Sequence, residues 1–380
     1  MERNNAVSIA KGIAIILVVI GHAEMPGLLN RSIYMFHMPL FFITAGYFFS
    51  HKAIEKPFVF IKKRFKGIYW PFLKYSLFFL FIHNWLFDIG VYNSVYGNWT
   101  GGVIYPYTTE QFWNKFQSII FSMSGYDVFL AGAFWFFRAL CVVSIVFLIF
   151  YLLLNKIKWL KDKTTTIPLI IAFIGLGIGF ILAYKKMFIP NFPQGGFRDT
   201  MGLMFFAIGV LYRKYEHCIG HNLIWSFVGA VIVILAAWLK FSGMNIRPLL
   251  QDPFTLPLTG IAGWIMTYNF SVYLAKFNNS RLVRGLIYCG NHTLYVFVWH
   301  VAAYKLVSLI KIWIYDLDPR QISCHMVIHD YSADDYFWIW YTIAGVGIPL
   351  VGYYYYSKYI SPRLPKISNL FVKHGADNAG

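Results

Sequence analysis

Charged side chains are scarce in this chain: only 13% of its 380 residues are Asp, Glu, Lys or Arg. Hydrophobic residues make up 58% of the chain and aromatic residues 20%. This is more apolar surface than a soluble domain of this length can bury. The composition therefore argues against a soluble globular protein and predicts a polytopic integral membrane protein.

Cysteine is also rare, and its four residues are widely spaced: Cys141, Cys218, Cys289 and Cys324. This spacing supports neither a disulfide framework nor a cysteine metal site. The motif CHMVIHD places His325 and His329 four residues apart, with Asp330 adjacent, which would suit a metal if this loop were helical. Because no third ligand can be placed, we predict no metal.

Long apolar runs are abundant instead. A helix that crosses a bilayer needs roughly 17 to 25 mostly apolar residues. Ten runs approach that length: 6 to 23, 33 to 50, 68 to 90, 131 to 154, 167 to 184, 201 to 212, 222 to 240, 257 to 275, 286 to 310 and 336 to 357. We therefore expect an all-α fold with about ten transmembrane helices, forming one transmembrane domain over residues 1–380 with a short tail at 361–380.

Basic residues outnumber acidic ones and give a net charge of +17. Such a charge can indicate nucleic-acid binding, but the distribution along the chain favours another explanation. If the N-terminus is cytoplasmic, the segments predicted inside hold 21 Lys and Arg, against nine in the segments predicted outside. The positive-inside rule then predicts that both termini, and the 361–380 tail, are cytoplasmic. The expected partner is the lipid bilayer, and no nucleic acid.

The stretch AKGIAIILVVIGHAEMP places Lys11 and His22 at the two ends of an apolar run. They are eleven residues apart, so on a helix they lie about 20° apart around the axis and roughly 16 Å apart along it. They therefore share one face of a membrane-scale helix. Glu24 follows two residues later and either orients the His22 imidazole or is a solvated carboxylate in a turn.

Few other titratable side chains fall at membrane depth, where each is a functional candidate because burying a charge in lipid is costly. They are His37, Arg138, His300 and Lys305. Arg138 and Lys305 could instead extend to an interface. The basic cluster at 62–66, which contains Lys63 and Arg64, is either a positive-inside signal that sets the topology or a site that binds phosphates.

Five motifs occur in the order typical of one known family: KGIAIILVVIGH, FHMPLFFITAGYF, IKKRFKGIYWPF, FWFFRAL and YCGNHTLYVFVWH. The chain resembles the membrane-bound acyltransferase 3 family, in particular its fucose 4-O-acetylase-like branch. It departs from the family at Ser8, where relatives often have aspartate, and at Ala45, where they often have serine. Lys11 stands where arginine is common and lacks the bidentate fork of arginine.

The resemblance implies an enzyme of the bacterial inner membrane that moves an acetyl group from cytoplasmic acetyl-CoA to a hydroxyl of an envelope glycan, an exported glycan or a lipid-linked sugar. His22 would act as general base or as a nucleophile that forms an acyl-imidazole. The predicted supporting residues are Glu24 and His300 for catalysis, Lys11, Lys63, Arg64 and Arg138 for acyl-CoA, and His37, Trp135 and Asn291 for the acceptor. Arg138, Trp135, Asn291 and His300 are also candidate donors to the oxyanion.

Two alternatives remain open at the level of sequence. A transporter or flippase for a glycan or small metabolite would also combine about ten helices with intramembrane histidine, lysine and arginine, although no inverted repeat with broken helices is visible. The same fold could also transfer another acyl group or use a small-molecule acceptor. Release of CoA from labelled acetyl-CoA would separate an enzyme from a carrier.

The distribution of basic residues generates a topology prediction. A reporter fused after residue 60 should be cytoplasmic, and one fused near residue 105 should be external. Fluorescence of a green fluorescent protein fusion reports the inside, and activity of an alkaline phosphatase fusion reports the outside. Reversal of both results would overturn the predicted orientation.

Overall fold

The computed structural model describes residues 5–25, 27–98, 102–219, 221–328 and 336–361. Helices dominate this part of the chain, which confirms the predicted all-α class apart from one short antiparallel ladder of β1 (Gly97–Asn98) and β2 (Gly102–Val103). The α-helices are α1 (Asn5–His22), α2 (Gly27–Tyr47), α3 (Lys52–Glu55), α4 (Pro57–Arg64), α5 (Trp70–Asp88), α6 (Thr109–Ser122), α7 (Val128–Ala131), α8 (Trp135–Asn155), α9 (Thr166–Lys185), α10 (Phe197–Tyr215), α11 (Leu223–Trp238), α12 (Asp252–Ala275), α13 (Arg281–Asn291), α14 (Thr293–Ile314) and α15 (Phe337–Tyr355). Short 3₁₀ segments lie at Gly132–Phe134, Pro193–Gly195, Glu216–Cys218 and Pro319–Ser323, and π segments at Phe65–Tyr69 and Tyr356–Ile360.

Four helical segments in the described residues are long and apolar enough to cross a membrane: Asn5–His22, Val128–Asn155, Thr166–Lys185 and Thr293–Ile314. The helix Leu223–Trp238 is apolar but shorter. The predicted count of ten is therefore not confirmed by this criterion, although α2, α5, α10, α12 and α15 have 19 to 24 residues each. The chain is an integral membrane protein.

The helix α1 occupies the centre of the bundle and packs against α2, α12, α13, α14 and α15. We call the end of the bundle at which α1 begins the near side, and the end at which it finishes the far side. Small residues allow the approach to α13, because a Cβ on Gly12 would collide with the backbone at Leu286 and one on Gly290 with the backbone at Ser8. The position of His22 is therefore set by close packing of α1.

A continuous helical segment carries the basic cluster at 62–66 and leads into the predicted span at 68 to 90. The helix α4 leads through the π turn Phe65–Tyr69 directly into α5. Pro57 begins the segment because its ring is compatible with the first turn of a helix, and Trp70–Pro71 follow the π turn that accommodates them. The cluster at 62–66 therefore lies on a helix that packs against α8.

The predicted span at 286 to 310 is interrupted in the structure. The helix α13 ends at Asn291, and α14 begins at Thr293 after His292, whose backbone leaves the helical conformation. The imidazole Nδ1 of His292 donates to the carbonyl of Tyr288 at 2.7 Å. This break allows α13 to pack along the near half of α1 while α14 continues toward the far side.

The crossing of α2 and α10 depends on two glycines. A Cβ on Gly46 would collide with the backbone carbonyl of Phe206, and one on Gly209 with the carbonyl of Ile43. Close approach of this kind is the usual reason for glycine at helix contacts in membranes. The crossing in turn holds α2, which carries His37, against the bundle.

We expect Gly46→Ala to destabilise the protein by about 1–3 kcal/mol, because the added methyl group forces the two backbones apart. The matched control is Gly347→Ala on α15, since a Cβ there meets nothing within 4 Å, and alanine is the better helix former. Thermal unfolding in detergent measures both variants. Equal stabilities for the two would contradict the proposed contact.

Candidate functional site

The last turn of α1 is fastened by two tyrosines from neighbouring helices. The Tyr304 hydroxyl of α14 donates to the carbonyl of Val19 at 2.6 Å, and the Tyr34 hydroxyl of α2 donates to the carbonyl of Gly21 at 3.0 Å. Both carbonyls also accept from the following turn, Val19 from the N–H of Ala23 at 2.9 Å and Gly21 from the N–H of Glu24 at 3.4 Å, so each tyrosine adds a tertiary hydrogen bond. The chain then turns at Glu24, whose φ of +58° is uncommon for a residue with a side chain.

The histidines of α1 and α14 meet at this end. The Nδ1 atom of His22 lies 2.8 Å from Nε2 of His300, and the two rings meet edge to edge, with centroids 5.1 Å apart and planes inclined by 22°. His300 is almost completely buried, with 1% of its surface exposed. The structure thus brings together two residues that were selected separately, 278 positions apart in the chain.

The hydrogen bonds of His300 define the protonation of both rings. Its Nδ1 faces the carbonyl oxygens of Val296 at 3.1 Å and Phe297 at 2.9 Å, and a carbonyl can only accept. A neutral His300 therefore carries its proton on Nδ1 and presents Nε2 as an acceptor. Nδ1 of His22 must then donate to His300, which leaves Nε2 of a neutral His22 with a lone pair for chemistry.

His300 takes the orienting position that was predicted for Glu24. The Glu24 carboxylate makes no hydrogen bond to the His22 ring in the structure, and the Glu24 side chain is exposed. The left-handed backbone at Glu24 directs the chain away from the end of α1. The direct partner of His22 thus comes from α14, and a role of Glu24 at the site stays a prediction.

His37 lies on the neighbouring helix α2 and faces the same region. Its Nδ1 donates to the carbonyl of Ile33 at 2.7 Å, so a neutral His37 also presents Nε2 as an acceptor. The Tyr34 ring meets the His37 ring edge-on, at 5.2 Å between centroids.

Arg138 forms a buried ion pair that the sequence analysis did not anticipate. Its two terminal nitrogens bind the two carboxylate oxygens of Asp199 at 3.1 and 3.3 Å. The guanidinium also lies 5.0 Å from the centroid of Phe192. Asp199 sits in the first turn of α10, where an acidic residue is favoured; the predicted run at 201 to 212 began too late to include it.

An arginine lies over one face of the Trp135 ring. The guanidinium of Arg198 lies 4.1 Å from the centroid of the Trp135 ring. Arg198 also donates to the carbonyl of Met244 at 2.7 Å and to the side chain of Gln194 at 3.2 Å. One face of the Trp135 ring is therefore covered by Arg198, and the role of Trp135 at the acceptor site stays a prediction.

Asn291 lies on the near side of the bundle, far from His22. The Ser8 hydroxyl donates to its side-chain oxygen at 3.1 Å. Ser8 precedes His22 by 14 residues, a separation of roughly 21 Å along α1. The expected position of Asn291 at the depth of His22 is therefore corrected, because the bond to Ser8 holds it at the other end of the helix.

The residues predicted to bind acyl-CoA lie on separate elements. Lys11 is half-buried in α1 at the contact with α13, whereas Lys63 and Arg64 end α4, beside α8. Arg64 is half-buried over the Phe60 ring, 4.7 Å from its centroid. Arg138 points to a far-side cavity and does not join this basic set.

The loop after α14 reaches back toward the histidine pair. Lys305 donates to the carbonyls of Cys324 and His325, and His325 packs its ring against Phe129 at 5.6 Å. Burial, with a smaller effect of the Lys305 charge, lowers the pKa of His325 to about 4. His325 is therefore neutral at pH 7.

No group of three metal-ligating side chains occurs among the described residues. His329 and Asp330, which were considered with His325 as a metal motif, lie outside the described residues. The four cysteines are all free.

A second buried histidine, His83 of α5, pairs with Asp127. Its Nδ1 lies 3.0 Å from the carboxylate and its Nε2 lies 2.9 Å from the carbonyl of Tyr105. Both partners of the ring are acceptors, and the carboxylate also accepts from the Tyr92 hydroxyl. The His83 ring stacks on Tyr107 at 3.6 Å, which fastens the 105–107 segment to the bundle.

Two cavities open on the far side of the bundle and share Lys115 and Val128. One, of about 520 Å³, is bordered by Arg138, Tyr126 and Gln194. The other, of about 430 Å³, is bordered by Tyr105, Tyr107, Gln111 and Asn114. Lys115 stands between them with its ammonium 4.5 Å from the centroid of the Tyr107 ring, and burial lowers its pKa.

The apolar helices and the buried polar centre define an integral membrane protein with a candidate site for proton-transfer chemistry. A model of the acyltransferase 3 family, described as an acyltransferase domain, matches residues 4–358, and the chain belongs to this family. The resemblance inferred from the five motifs is thus confirmed at the level of the family, and the protein is a membrane acyltransferase. No significant match was found among the curated proteins or among the solved structures.

We expect Asp199→Ala to destabilise the protein by about 3–5 kcal/mol, because it leaves the Arg138 charge buried without its partner. The double variant Arg138→Met with Asp199→Leu should recover most of that loss, since it leaves no isolated charge. Thermal unfolding in detergent measures both. The control Arg320→Ala removes the exposed partner of the ion pair with Asp318 and should change little.

An Asp199→Ala protein as stable as the wild type would show that solvent or lipid headgroups reach Arg138. A double variant no more stable than Asp199→Ala would show that the loss is one of packing.

Proposed function

We propose that this membrane acyltransferase moves an acetyl group from acetyl-CoA, bound from the cytoplasm, to a hydroxyl of an envelope glycan, exported glycan or lipid-linked sugar. The supporting observation is the hydrogen bond between His22 and His300, which leaves Nε2 of His22 available as a base or nucleophile. We further propose that the protein lies in the bacterial inner membrane and belongs to the fucose 4-O-acetylase-like branch of the family.

In the proposed reaction, Nε2 of His22 takes the proton of the acceptor hydroxyl as its oxygen attacks the thioester carbonyl. The carbon–sulfur bond then breaks, and the proton passes from His22 to the departing thiolate of CoA. In the covalent variant, Nε2 attacks the thioester first, the carbon–sulfur bond breaks and the CoA thiolate leaves, so that His22 carries the acetyl group as an acyl-imidazole in its positively charged form. The hydroxyl then attacks this acetyl group, the carbon–nitrogen bond breaks, and the proton of the hydroxyl passes to the CoA thiolate. Both routes use the same nitrogen and the same tautomer.

His300 is a positioning residue in either route. Its Nε2 accepts from Nδ1 of His22, and its own Nδ1 is bound to carbonyls of α14. The bond holds His22 in one tautomer and supports the positive charge that forms when Nε2 gains a proton, as a carboxylate does in a catalytic triad. A histidine partner is weaker in this role than a carboxylate because it is neutral.

The donor is proposed to approach from the near side. Lys11 lies on the face of α1 that leads to His22, and roughly 16 Å of helix separates the two. Lys63 and Arg64 offer further positive charge at the end of α4. We propose that these three residues contact the phosphates of acetyl-CoA, so that its pantetheine arm extends toward His22. Arg138 takes no part in this set, since Asp199 holds it on the far side.

The acceptor is proposed to approach from the far side. The two cavities that meet at Lys115 combine aromatic faces with side-chain amides, a combination suited to stacking against sugar rings and to hydrogen bonds with their hydroxyls. Val128 and Phe129 separate these cavities from His325, which lies toward His22. His37 and Arg198 border the remaining side and are the proposed contacts to the acceptor or to the oxyanion.

Labelled acetyl-CoA supplied to the purified protein in nanodiscs tests this proposal. His22→Ala should lower CoA release and acetyl transfer by about 10²- to 10⁴-fold, the usual loss for a general base. His300→Ala should lower the rate by about 10²-fold because His22 is misplaced, whereas His300→Gln should recover much of it, since the amide oxygen can accept from Nδ1. The control is His51→Ala, an exposed histidine paired with Glu55.

A folded His22→Ala protein with near wild-type transfer would contradict the mechanism. Equal losses in His300→Ala and His300→Gln would contradict the tautomer argument while leaving His22 in place. Accumulation of a solute in vesicles without acylation would identify a carrier instead.

A further inference from the structure

A groove on the surface of the bundle lies outside the site described above. It separates α5 from the pair α14 and α15 and encloses about 600 Å³. Its deeper wall is apolar and includes Trp299, Leu306 and Ile348, while Tyr295, Tyr353 and Tyr356 stand at its near-side mouth. Tyr295 and Tyr353 stack with ring centroids 3.8 Å apart, so the aromatic mouth is rigid.

One cation lines this groove. Lys74 projects from the second turn of α5, its side chain is exposed, and its ammonium lies 4.2 Å from the centroid of the Tyr75 ring. No ion pair joins Lys74 to a carboxylate anywhere in the described ranges. Lys74 lies within an apolar helix, where a lysine marks a functional site by default.

The apolar floor continues beyond the groove. A second cavity of about 870 Å³, lined almost entirely by apolar side chains of α14 and α15, shares Ile348 and Gly352 with the first. From Tyr295 to Ile314 the lining of α14 extends over 19 residues, roughly 28 Å of helix and close to the thickness of a bilayer core. The two cavities together form a continuous apolar surface that can hold a long alkyl chain, and the positive charge of Lys74 lies at its near-side end.

We propose that this groove binds one anionic phospholipid of the near-side leaflet, with its phosphate on Lys74 and one acyl chain along α14 and α15. Basic pockets between helices at the membrane surface recognise anionic headgroups in this way. The tyrosine hydroxyls of the mouth can donate to the phosphate oxygens. A neutral or zwitterionic lipid fills the same apolar floor but gains less from the lysine.

This proposal stands apart from the acyl-transfer reaction, yet the bound lipid contacts the helix that carries His300. Trp299, which lines the groove, directly precedes His300 in α14, and its ring packs between Tyr75, Phe78 and Phe79 of α5. Occupancy of the groove therefore adds contacts between α5 and α14. We expect the anionic lipid to raise thermal stability, as any ligand does that binds only the folded state.

The test uses the purified full chain, stripped of lipid in detergent and titrated with dioleoyl phosphatidylglycerol or dioleoyl phosphatidylcholine. Native mass spectrometry counts bound lipid, and thermal unfolding measures the shift. The wild type should retain one phosphatidylglycerol in preference to phosphatidylcholine. Lys74→Gln should weaken that binding about fivefold, the effect of one lysine near a membrane surface.

Two further variants make the test specific. Gly352→Leu should weaken binding of both lipids by filling the floor, and it is expected to fold because a Cβ at Gly352 meets nothing within 4 Å. Lys276→Gln removes an exposed lysine at the end of α12 and should leave lipid binding unchanged. The proposal is overturned if Lys74→Gln matches the wild type, if both lipids bind equally, if glycerol phosphate alone gives the full shift, or if acetyl-CoA displaces the lipid stoichiometrically.

Discussion

The hydrogen bond between His22 and His300 is the interaction on which the rest of the site depends. It requires the end of α1 to lie against the middle of α14, and the bundle provides this through close backbone contacts at Gly12 and Gly290 and through the Tyr304 and Tyr34 hydroxyls on the last carbonyls of α1. The carbonyls of α14 then settle which nitrogen of His300 carries the proton. A chain of geometric constraints thus ends at one available nitrogen, Nε2 of His22.

Each buried charged side chain named on the far side lies beside a partner of opposite charge. This pairing explains how the low-dielectric interior of the bundle tolerates buried charge. Arg138 is bidentate with Asp199, and His83 is paired with Asp127. Such pairs contribute little net stability, yet removing one partner is strongly destabilising, so each pair fixes the positions of the elements that carry it. Arg138 and Asp199 hold α8 against α10, and His83 and Asp127 hold α5 against the start of α7. The far-side cavities are bordered by side chains that cannot easily move.

The two sides of the bundle differ in chemistry in the way that the proposed reaction requires. The near side offers separate positive charges on α1 and α4 for an anionic donor, and the far side offers aromatic rings, amides and Lys115 for a hydroxylated acceptor. His22 and His300 lie where the two meet. The groove at Lys74 belongs to neither, since it faces the membrane, and it connects lipid composition to the helix that positions His300.

The sequence alone determined the membrane class, the family and the helical position of His22, because apolar runs, five ordered motifs and a spacing of eleven residues are local properties. It also selected His300 and Arg138 as polar residues at membrane depth. Only the tertiary structure showed which residues contact one another at the site. His22 is bonded to His300 and not to Glu24, and Arg138 is paired with Asp199. Arg198 lies over the ring of Trp135, and Ser8 is bonded to Asn291. A hydrogen bond between residues far apart in the chain leaves no periodic signal, since it depends on how helices cross. For the same reason the sequence does not reveal the groove at Lys74, because the groove forms only where α5, α14 and α15 meet.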